Sequence, residues 1–141
     1  MKSTLFLFFL CLLLFSDNRS DLISRTWRQV GIKPFNKPFK LTDASMAEVI
    51  TFKKDGTYDE ILYGQIKIKG EWSFDKDSLK LKLGMTSFNG NDVPGIKMKD
   101  AKPTDTILKL SADTLIYGSL AYYGAKKEYG HDDWYFVADP H

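Results

Sequence analysis

The chain has 141 residues, a length typical of one domain, and a formal net charge of +2 at neutral pH. A charge this small excludes the basic field with which nucleic-acid-binding domains attract phosphate, so we expect no nucleic-acid partner. Aromatic residues make up 14% of the chain. Tyrosine and tryptophan suit a wall that is apolar along its length and polar at one tip.

The first twenty residues have the pattern of a secretory signal peptide. Lys2 precedes the apolar run LFLFFLCLLLF, from Leu5 to Phe15, and polar residues follow at once. This run is shorter than the roughly 20 residues that cross a bilayer as a helix. We therefore predict a signal peptide over residues 1–20, cleaved after Ser16 or Ser20, and a secreted or periplasmic protein without a stable membrane span.

The only cysteine, Cys11, lies inside this segment. Cleavage would leave a domain over residues 21–141 with no thiol and no disulfide. Export without cysteines fits a bacterial periplasm or outer surface better than a disulfide-stapled secreted domain.

The stretch from Ala47 to Leu83 is the part of the chain around which the rest is organised. Apolar and polar residues alternate through most of it; Ile66, Ile68 and Trp72 fall on one face of an extended chain. A period of two is typical of a half-buried strand. The Asp55-Gly56 pair within the stretch is a strong hairpin signal. This region therefore predicts a meander of antiparallel strands.

The same signals divide the whole domain into strands and connections. In chain order, strands are predicted over residues 22–32, 47–53, 57–63, 65–74, 78–83, 104–110, 114–120 and 134–138. One helical turn is predicted over 42–46, and irregular connections over 84–103, which could include a short strand at Ile96 and Met98, and over 121–133. Eight or nine short strands in a meander favour an all-β, up-and-down antiparallel β-barrel, which has no exposed sheet edges.

The order of these elements resembles the small secreted lipocalin-like domains of bacteria, of the kind met in Bacteroidetes. The segments that carry the resemblance lie between Ile23 and Phe136: an early strand with Trp27, then ITFKKDGTY (50–58), GEWSF (70–74) before LKL (79–81), ILKL (107–110) before DTL (113–115), and an aromatic last strand. The resemblance implies a lipocalin-like barrel that binds a small molecule.

The chain departs from the family pattern at two positions. The family's first strand usually has glycine two residues before the tryptophan, where this chain has Arg25. Lipocalins often cover that tryptophan with a cationic residue from the last strand, and residues 134–137 contain none. Arg25 or Arg28 could take this role.

The interior of an eight-stranded barrel is either filled by side chains or large enough for one small ligand. Candidate ligand-binding residues are aromatic or flexible and apolar, and lie on predicted inward faces or in the two long connections. They are Phe52, Trp72, Met85, Phe88, Met98, Tyr117, Tyr122 and Phe136. For those on strands, the alternative is an ordinary core, and for those in connections, loops that pack on themselves.

Catalytic and metal-binding patterns are missing from the sequence. His131, Asp132 and Asp133 are adjacent, so they cannot all point at one ion, and neighbours such as Asp59 and Glu60 point to opposite faces of a strand. There is no serine elbow, phosphate loop or zinc-spaced set. We therefore expect no metal, no cofactor and no enzymatic activity.

Two functional hypotheses follow from these observations. The first is a secreted, non-catalytic, lipocalin-like protein that binds a small hydrophobic or amphipathic ligand. The alternative is a filled barrel that docks a protein or glycan through its aromatic loops. They differ in the internal volume of the barrel.

Overall fold

The computed structural model describes residues 19–75, 79–94, 105–123 and 128–140, which form an almost wholly antiparallel β-structure. The predicted all-β class is confirmed. One short helix, α1, spans Arg19–Ile23. The strands are β1 (Thr26–Lys33), β2 (Lys40–Leu41), β3 (Val49–Phe52), β4 (Thr57–Leu62), β5 (Ile66–Phe74), β6 (Lys80–Phe88), β7 (Asn91–Asp92), β8 (Asp105–Leu110), β9 (Thr114–Tyr123) and β10 (Glu128–Ala138).

Eight of these strands form a closed ring. Along β1, β3, β4, β5, β6, β8, β9 and β10 each strand pairs with the next, while β2 and β7 are short additions to β1 and β6. The last strand returns to the first, with Trp27 opposite Ala138 and Ile32 opposite Trp134. The expected meeting of the first and last strands is confirmed, and the closure gives the main strands hydrogen-bonded neighbours on both sides.

The ring is less regular than an ideal barrel. In the described residues, β6 and β8 are joined by two residue pairs, Lys80 with Thr106 and Leu81 with Asp105. Register shifts interrupt three other strand pairs, β1 with β10, β5 with β6 and β8 with β9. Such bulges leave one residue unpaired and bend the strand.

The two segments predicted as irregular connections are partly strand. β6 continues to Phe88 and turns at Asn89 and Gly90, both with positive φ, into β7. β9 continues to Tyr123, and β10 already begins at Glu128. The glycines and polar residues in these segments indicated loops, but long-range pairing with neighbouring strands overrides such local preferences. The proposed strand at Ile96 and Met98 lies outside the described residues, as does most of the predicted signal peptide.

The helical content also differs from the prediction. Residues 42–46 form a turn, in which the Met46 N–H donates to the Asp43 carbonyl (2.9 Å) and the Ser45 N–H donates to Asp43 Oδ1 (2.8 Å). The helix is α1, where the Ser24 N–H donates to the Ser20 carbonyl (3.1 Å). Because Ile23 of α1 is fully buried, burial fixes a helical turn where the apolar pattern alone indicated a strand.

One end of the ring is closed by α1 and the start of β1. The Trp27 indole N–H donates to the Ile23 carbonyl at 2.9 Å. The Arg25 guanidinium lies 5.7 Å from the centroid of the Trp27 ring and donates to the Ala112 carbonyl in the turn between β8 and β9. Arg25 therefore supplies the cation that covers the tryptophan, while Arg28 pairs with Asp139 on the outside (2.6 Å).

The interior next to this end is filled by apolar side chains. Phe52 meets Trp72 edge to face at 5.5 Å between ring centroids, and Trp72 meets Phe74 in the same way at 5.7 Å. Burying each large side chain contributes about 1.5–3 kcal/mol. The largest fully buried side chains are Ile23, Trp27, Ile50, Phe52, Leu81, Leu115 and Phe136.

Candidate functional site

Towards the opposite end of the ring, apolar side chains of the inner face are exposed. Met85 lies across from Gly70, and Phe88 lies across from Ile68. Directly opposed residues of antiparallel strands share a face, and Ile68 packs against the core, so Met85 and Phe88 belong to the inner face. They are nevertheless 39% and 40% exposed. We call this region, lined by Ile68, Met85 and Phe88, the open end.

A glycine brings the wall of the open end close to Tyr58. A Cβ added to Gly70 would lie 2.2 Å from the Gly84 carbonyl oxygen and 2.6 Å from the Tyr58 ring. Any side chain at position 70 would collide with the Tyr58 ring, so only glycine lets this ring pack against β5. Tyr58 is consequently 3% exposed and forms the floor of the open end.

Three of the carboxyl groups on the inner face lie between the apolar core and the open end. Glu48 lies two residues before the buried Ile50 and on the same side of the chain, and Glu60 lies directly across from Ile50 on β4. Asp105 begins β8, opposite Ser119. Glu48 and Asp105 are 8% and 6% exposed, and Glu60 is half-buried. We call Glu48, Glu60 and Asp105 the acidic cluster.

Neighbouring strands hold Glu48 in place. Its N–H donates to Gln29 Oε1 (3.2 Å), and the Gln29 N–H donates to the Glu48 carbonyl (2.9 Å). The Tyr117 hydroxyl donates to Glu48 Oε1 over 3.5 Å. On the opposite side of the ring, the Ser119 hydroxyl on β9 donates to Oδ1 of Asp105, its neighbour on β8. The acidic cluster is thus positioned by β1, β4, β8 and β9.

Burial and mutual repulsion disfavour the charged form of these groups. Burial, followed by the charges of Glu60 and Asp105, raises the pKa of Glu48 to about 8, although the hydrogen bond from Tyr117 acts in the opposite direction. Burial and then the charge of Asp105 raise the pKa of Glu60 to about 7. Both groups therefore titrate near neutral pH.

Two tyrosine hydroxyls face the acidic cluster. Burial and then the charges of Glu60 and Glu48 raise the pKa of Tyr58, and burial and then Glu48 raise that of Tyr117 well above its ordinary value. Both hydroxyls stay protonated at physiological pH. Tyr117 stacks on Phe136 (5.3 Å between ring centroids) and bonds to Glu48.

The charges that shift the pKa values of the inward glutamates and tyrosines have one sign. The neighbouring charges that shift the pKa values of Glu48, Glu60, Tyr58 and Tyr117 are all carboxylates. The described residues also contain no group of three or more His, Cys, Asp or Glu arranged to hold a metal ion. The open end is thus lined by apolar side chains, and the carboxyl groups of the acidic cluster lie between it and the core.

The structure divides the sequence-predicted ligand residues between the two ends of the ring. Phe52, Trp72 and Phe136 lie in the filled end, and Tyr117 links that core to the acidic cluster. Met85 and Phe88, expected in a loop, lie on β6 at the open end. The backbone of Tyr122 pairs with Tyr129 in β9 and β10, and Met98 lies outside the described residues.

Sequence reasoning missed the acidic cluster, although one signal was present. Glu48, Ile50 and Phe52 alternate, which places a glutamate on the inward face of a strand. The pair Asp59 and Glu60 does point to opposite faces: Asp59 makes an ion pair with Lys53 on the outside, and Glu60 points inwards. That separation brings Glu60 together with Glu48, a partner distant in sequence.

His131, Asp132 and Asp133 do not form a joint site. Asp132 Oδ1 accepts a hydrogen bond from the Phe35 N–H at 2.9 Å. The Asp132 side chain lies on the same face of the sheet as that of Ser119, its direct partner on β9. The side chains of His131 and Asp133 lie on the other side of the strand, beside Gly118. A surface cleft of about 520 Å³ lies next to them, lined by Lys33, Pro34, Phe35, Asn36, Tyr129, Gly130, His131 and Asp133.

Comparisons of the chain with models of protein families, with curated proteins and with solved structures found no significant match. Among the described residues, none of the helical structure has the length and apolar character that a membrane crossing requires.

Proposed function

We propose that this protein is a secreted, lipocalin-like carrier that binds a small amphipathic molecule inside its ring of strands and performs no covalent chemistry. The observation that carries the proposal is the exposure of Met85 and Phe88 on the inner face, while the other end of the interior is filled. An apolar wall that folding leaves open on the inside is typical of a small-molecule site. The polar part of the ligand would meet the acidic cluster.

The proposed affinity sets the apolar area that a ligand must bury at the open end. A micromolar complex corresponds to about 8 kcal/mol of binding free energy. Burial contributes about 25 cal/mol per Å² of apolar surface, so about 300 Å² would supply most of that value before the costs of association. Flexible Met85 and planar Phe88 suit an apolar body of this size.

A second candidate is a module that docks a protein or a glycan. It is favoured by exposed apolar side chains on the outer face of β8, β9 and β10: Leu108, Leu120 and Tyr129 are 54%, 59% and 67% exposed. This face does not involve the ring interior. The two functions therefore respond to different substitutions.

The test is binding of the neutral fluorescent probe N-phenyl-1-naphthylamine, combined with native mass spectrometry for a co-purifying molecule. Met85→Trp should fill the open end and lower probe affinity about tenfold. Ile61→Trp is the matched control, because Ile61 is 38% exposed but lies on β4 next to the inward-facing Glu60, and thus on the outer face.

The proposal predicts that Ile61→Trp binds the probe as the unaltered protein does. Equal loss in both variants, or no probe uptake by the unaltered protein together with a ligand-free mass, would overturn it. Loss of partner binding on Leu120→Lys, with probe binding intact, would support the docking module instead.

A further inference from the structure

We propose that Phe35 is a gate residue: its aromatic ring occupies part of the interior at the open end, and a ligand binds by displacing it. This inference rests on the proposed function and adds to it a conformational step. The segment that moves consists of residues 34–39, between β1 and β2, which we call the strap.

The first argument is the position of the Phe35 aromatic ring. Gly130 lies on the inner face of β10, because it is four residues before Trp134, which packs against the core. A Cβ added to Gly130 would lie 2.1–2.4 Å from three atoms of the Phe35 ring. Phe35 therefore fills the hollow that Gly130 leaves on the inner face, and Gly130 is buried beneath it.

The second argument is the location of this contact at the open end. β1 starts near the closed end with Trp27 and finishes with Lys33, opposite Asp133, so the strap begins where β1 reaches the open end. The interior of an eight-stranded barrel is just wide enough for side chains or for one small ligand. An aromatic ring on the β10 side thus takes up space that a ligand lying against Met85 and Phe88 needs.

The third argument is the construction of the strap. Its two ends are fixed, because β1 pairs with β10 before it and with β2 after it. Between these ends the Lys37 N–H donates to the Pro34 carbonyl (3.0 Å), in a turn where Asn36 has a left-handed backbone (φ 56°). Asn36, Lys37 and Pro38 are exposed. A short turn with an exposed middle can swing outwards without unpairing a strand.

The fourth argument is the space beside the gate. The Phe35 N–H donates to Asp132 Oδ1 at 2.9 Å, and this bond ties the closed strap to β10. The surface cleft of about 520 Å³ has Pro34, Phe35, Asn36 and Gly130 among its lining residues. The aromatic ring of Phe35 therefore leaves the inner face into space that already exists. Its place on Gly130 is then available to the apolar part of a ligand.

The experiment compares Phe35→Ala with Phe39→Ala in titrations with N-phenyl-1-naphthylamine. Phe35→Ala should bind the probe about tenfold more tightly than the unaltered protein, because a population that is mostly closed lowers the apparent affinity. Thermal melting should show a lower stability for the same variant. A residue with a purely structural role does not combine tighter binding with lower stability.

Phe39→Ala is the matched control, because it removes the same side chain from the same strap. The Phe39 ring packs edge to face on Tyr135 (5.0 Å between ring centroids). Tyr135 lies between the inward Trp134 and Phe136, so this contact is on the outer face. Phe39→Ala should change the probe affinity by less than about twofold.

Hydrogen exchange of the unaltered protein tests the movement without any substitution. The amides of the strap should exchange faster when the probe is bound, because displacement of Phe35 breaks the bond from its N–H to Asp132. Unchanged or slower exchange on binding contradicts the displacement.

The outcomes separate the gate from the carrier function. If the unaltered protein binds the probe but Phe35→Ala binds it no more tightly, or if both phenylalanine variants gain equally, the gate is wrong and the carrier function stands. Failure of the unaltered protein to bind the probe overturns the proposed function itself.

Discussion

Glu60 lies directly across from Ile50 on the neighbouring strand, so a carboxyl group and a fully buried isoleucine share the inner face of one strand pair. Two residues before Ile50, Glu48 continues this face towards the open end. Along the β3–β4 hairpin, the apolar core is therefore followed by two members of the acidic cluster in the direction of the open end. The stability of this hairpin therefore depends on the protonation of its inward carboxyl groups.

The first prediction concerns the pH dependence of stability. In the unfolded chain a glutamate titrates near 4.3, whereas folding raises the pKa of Glu48 to about 8 and that of Glu60 to about 7. At pH values between the unfolded and the folded pKa, the folded state binds more protons than the unfolded state. The free energy of unfolding therefore falls as the pH rises through this range. We expect the melting temperature to decrease from pH 5 to pH 8.5.

Substitutions separate the contribution of the acidic cluster to the pH dependence of stability from the contribution of the rest of the chain. Glu48→Gln should flatten this slope and stabilise the protein at pH 8.5 by an amount on the order of 1 kcal/mol, the value of about one pKa unit. Glu71→Gln should retain the slope, since Glu71 is exposed on the outer face of β5. Calorimetry at several pH values measures both, and a melting temperature that rises over this range would contradict the assignment.

The second prediction concerns Gly70. Gly70→Ala places a methyl group 2.2 Å from the backbone oxygen of Gly84, which cannot rotate away, and 2.6 Å from the Tyr58 ring. Overpacking of this kind costs about 1–3 kcal/mol, and more where backbone must move. Urea denaturation should therefore show a lower midpoint for this variant.

Gly118→Ala is the matched comparison for Gly70→Ala. Its added methyl group would have ordinary contacts of 3.4–3.5 Å with the side chains of Asp133, His131 and Leu108. Its midpoint should change little. If the two alanine variants were equally stable, the close approach of Tyr58 to β5 would be wrong.

The third prediction concerns the closed end. Arg25→Ala removes the guanidinium group from the Trp27 ring and from the Ala112 carbonyl, a loss of about 1 kcal/mol of stability. Arg28→Ala removes two hydrogen bonds to the Asp139 carboxylate, whose side chain is only 8% exposed, so it should cost at least as much as Arg25→Ala. Thermal melting of the two variants side by side measures the difference; a smaller effect of Arg28→Ala would contradict this order.

Much of the fold was predictable because it depends on local pattern. Strict alternation, as in Ile66, Ile68 and Trp72, located the strands, and Asp55-Gly56 located a hairpin. The closure of the ring followed from the meander, and the pairing of β1 with β10 confirms it. Local patterns failed at residues 84–88 and 128–133, where pairing with a distant strand makes strand out of glycine-rich and polar sequence.

The site was less predictable because its parts meet only through the fold. Glu48 and Glu60 are twelve positions apart and belong to different strands, and Asp105 comes from the other side of the ring. Nothing local to Glu60 marks it as different from its outward neighbour Asp59. The pairing register of the strands decides which carboxyl group points inwards, and this register cannot be read from the sequence alone.

The last prediction separates the proposed ligand-binding residues from the residues that stabilise the fold. Phe88→Ala should lower the affinity for N-phenyl-1-naphthylamine about tenfold, because it removes an inward ring that is 40% exposed. Its stability should change by less than about 1 kcal/mol, since the ring is not packed in the core. Phe136→Ala, by contrast, removes a ring that is 1% exposed and stacked on Tyr117, and such core truncations cost about 3–5 kcal/mol.

Probe titration and urea denaturation of both phenylalanine variants provide the comparison. The carrier function requires affinity to fall in Phe88→Ala at nearly unchanged stability. A large loss of stability in that variant would instead mean that Phe88 belongs to a filled interior, and the proposal of a binding site at the open end would be wrong.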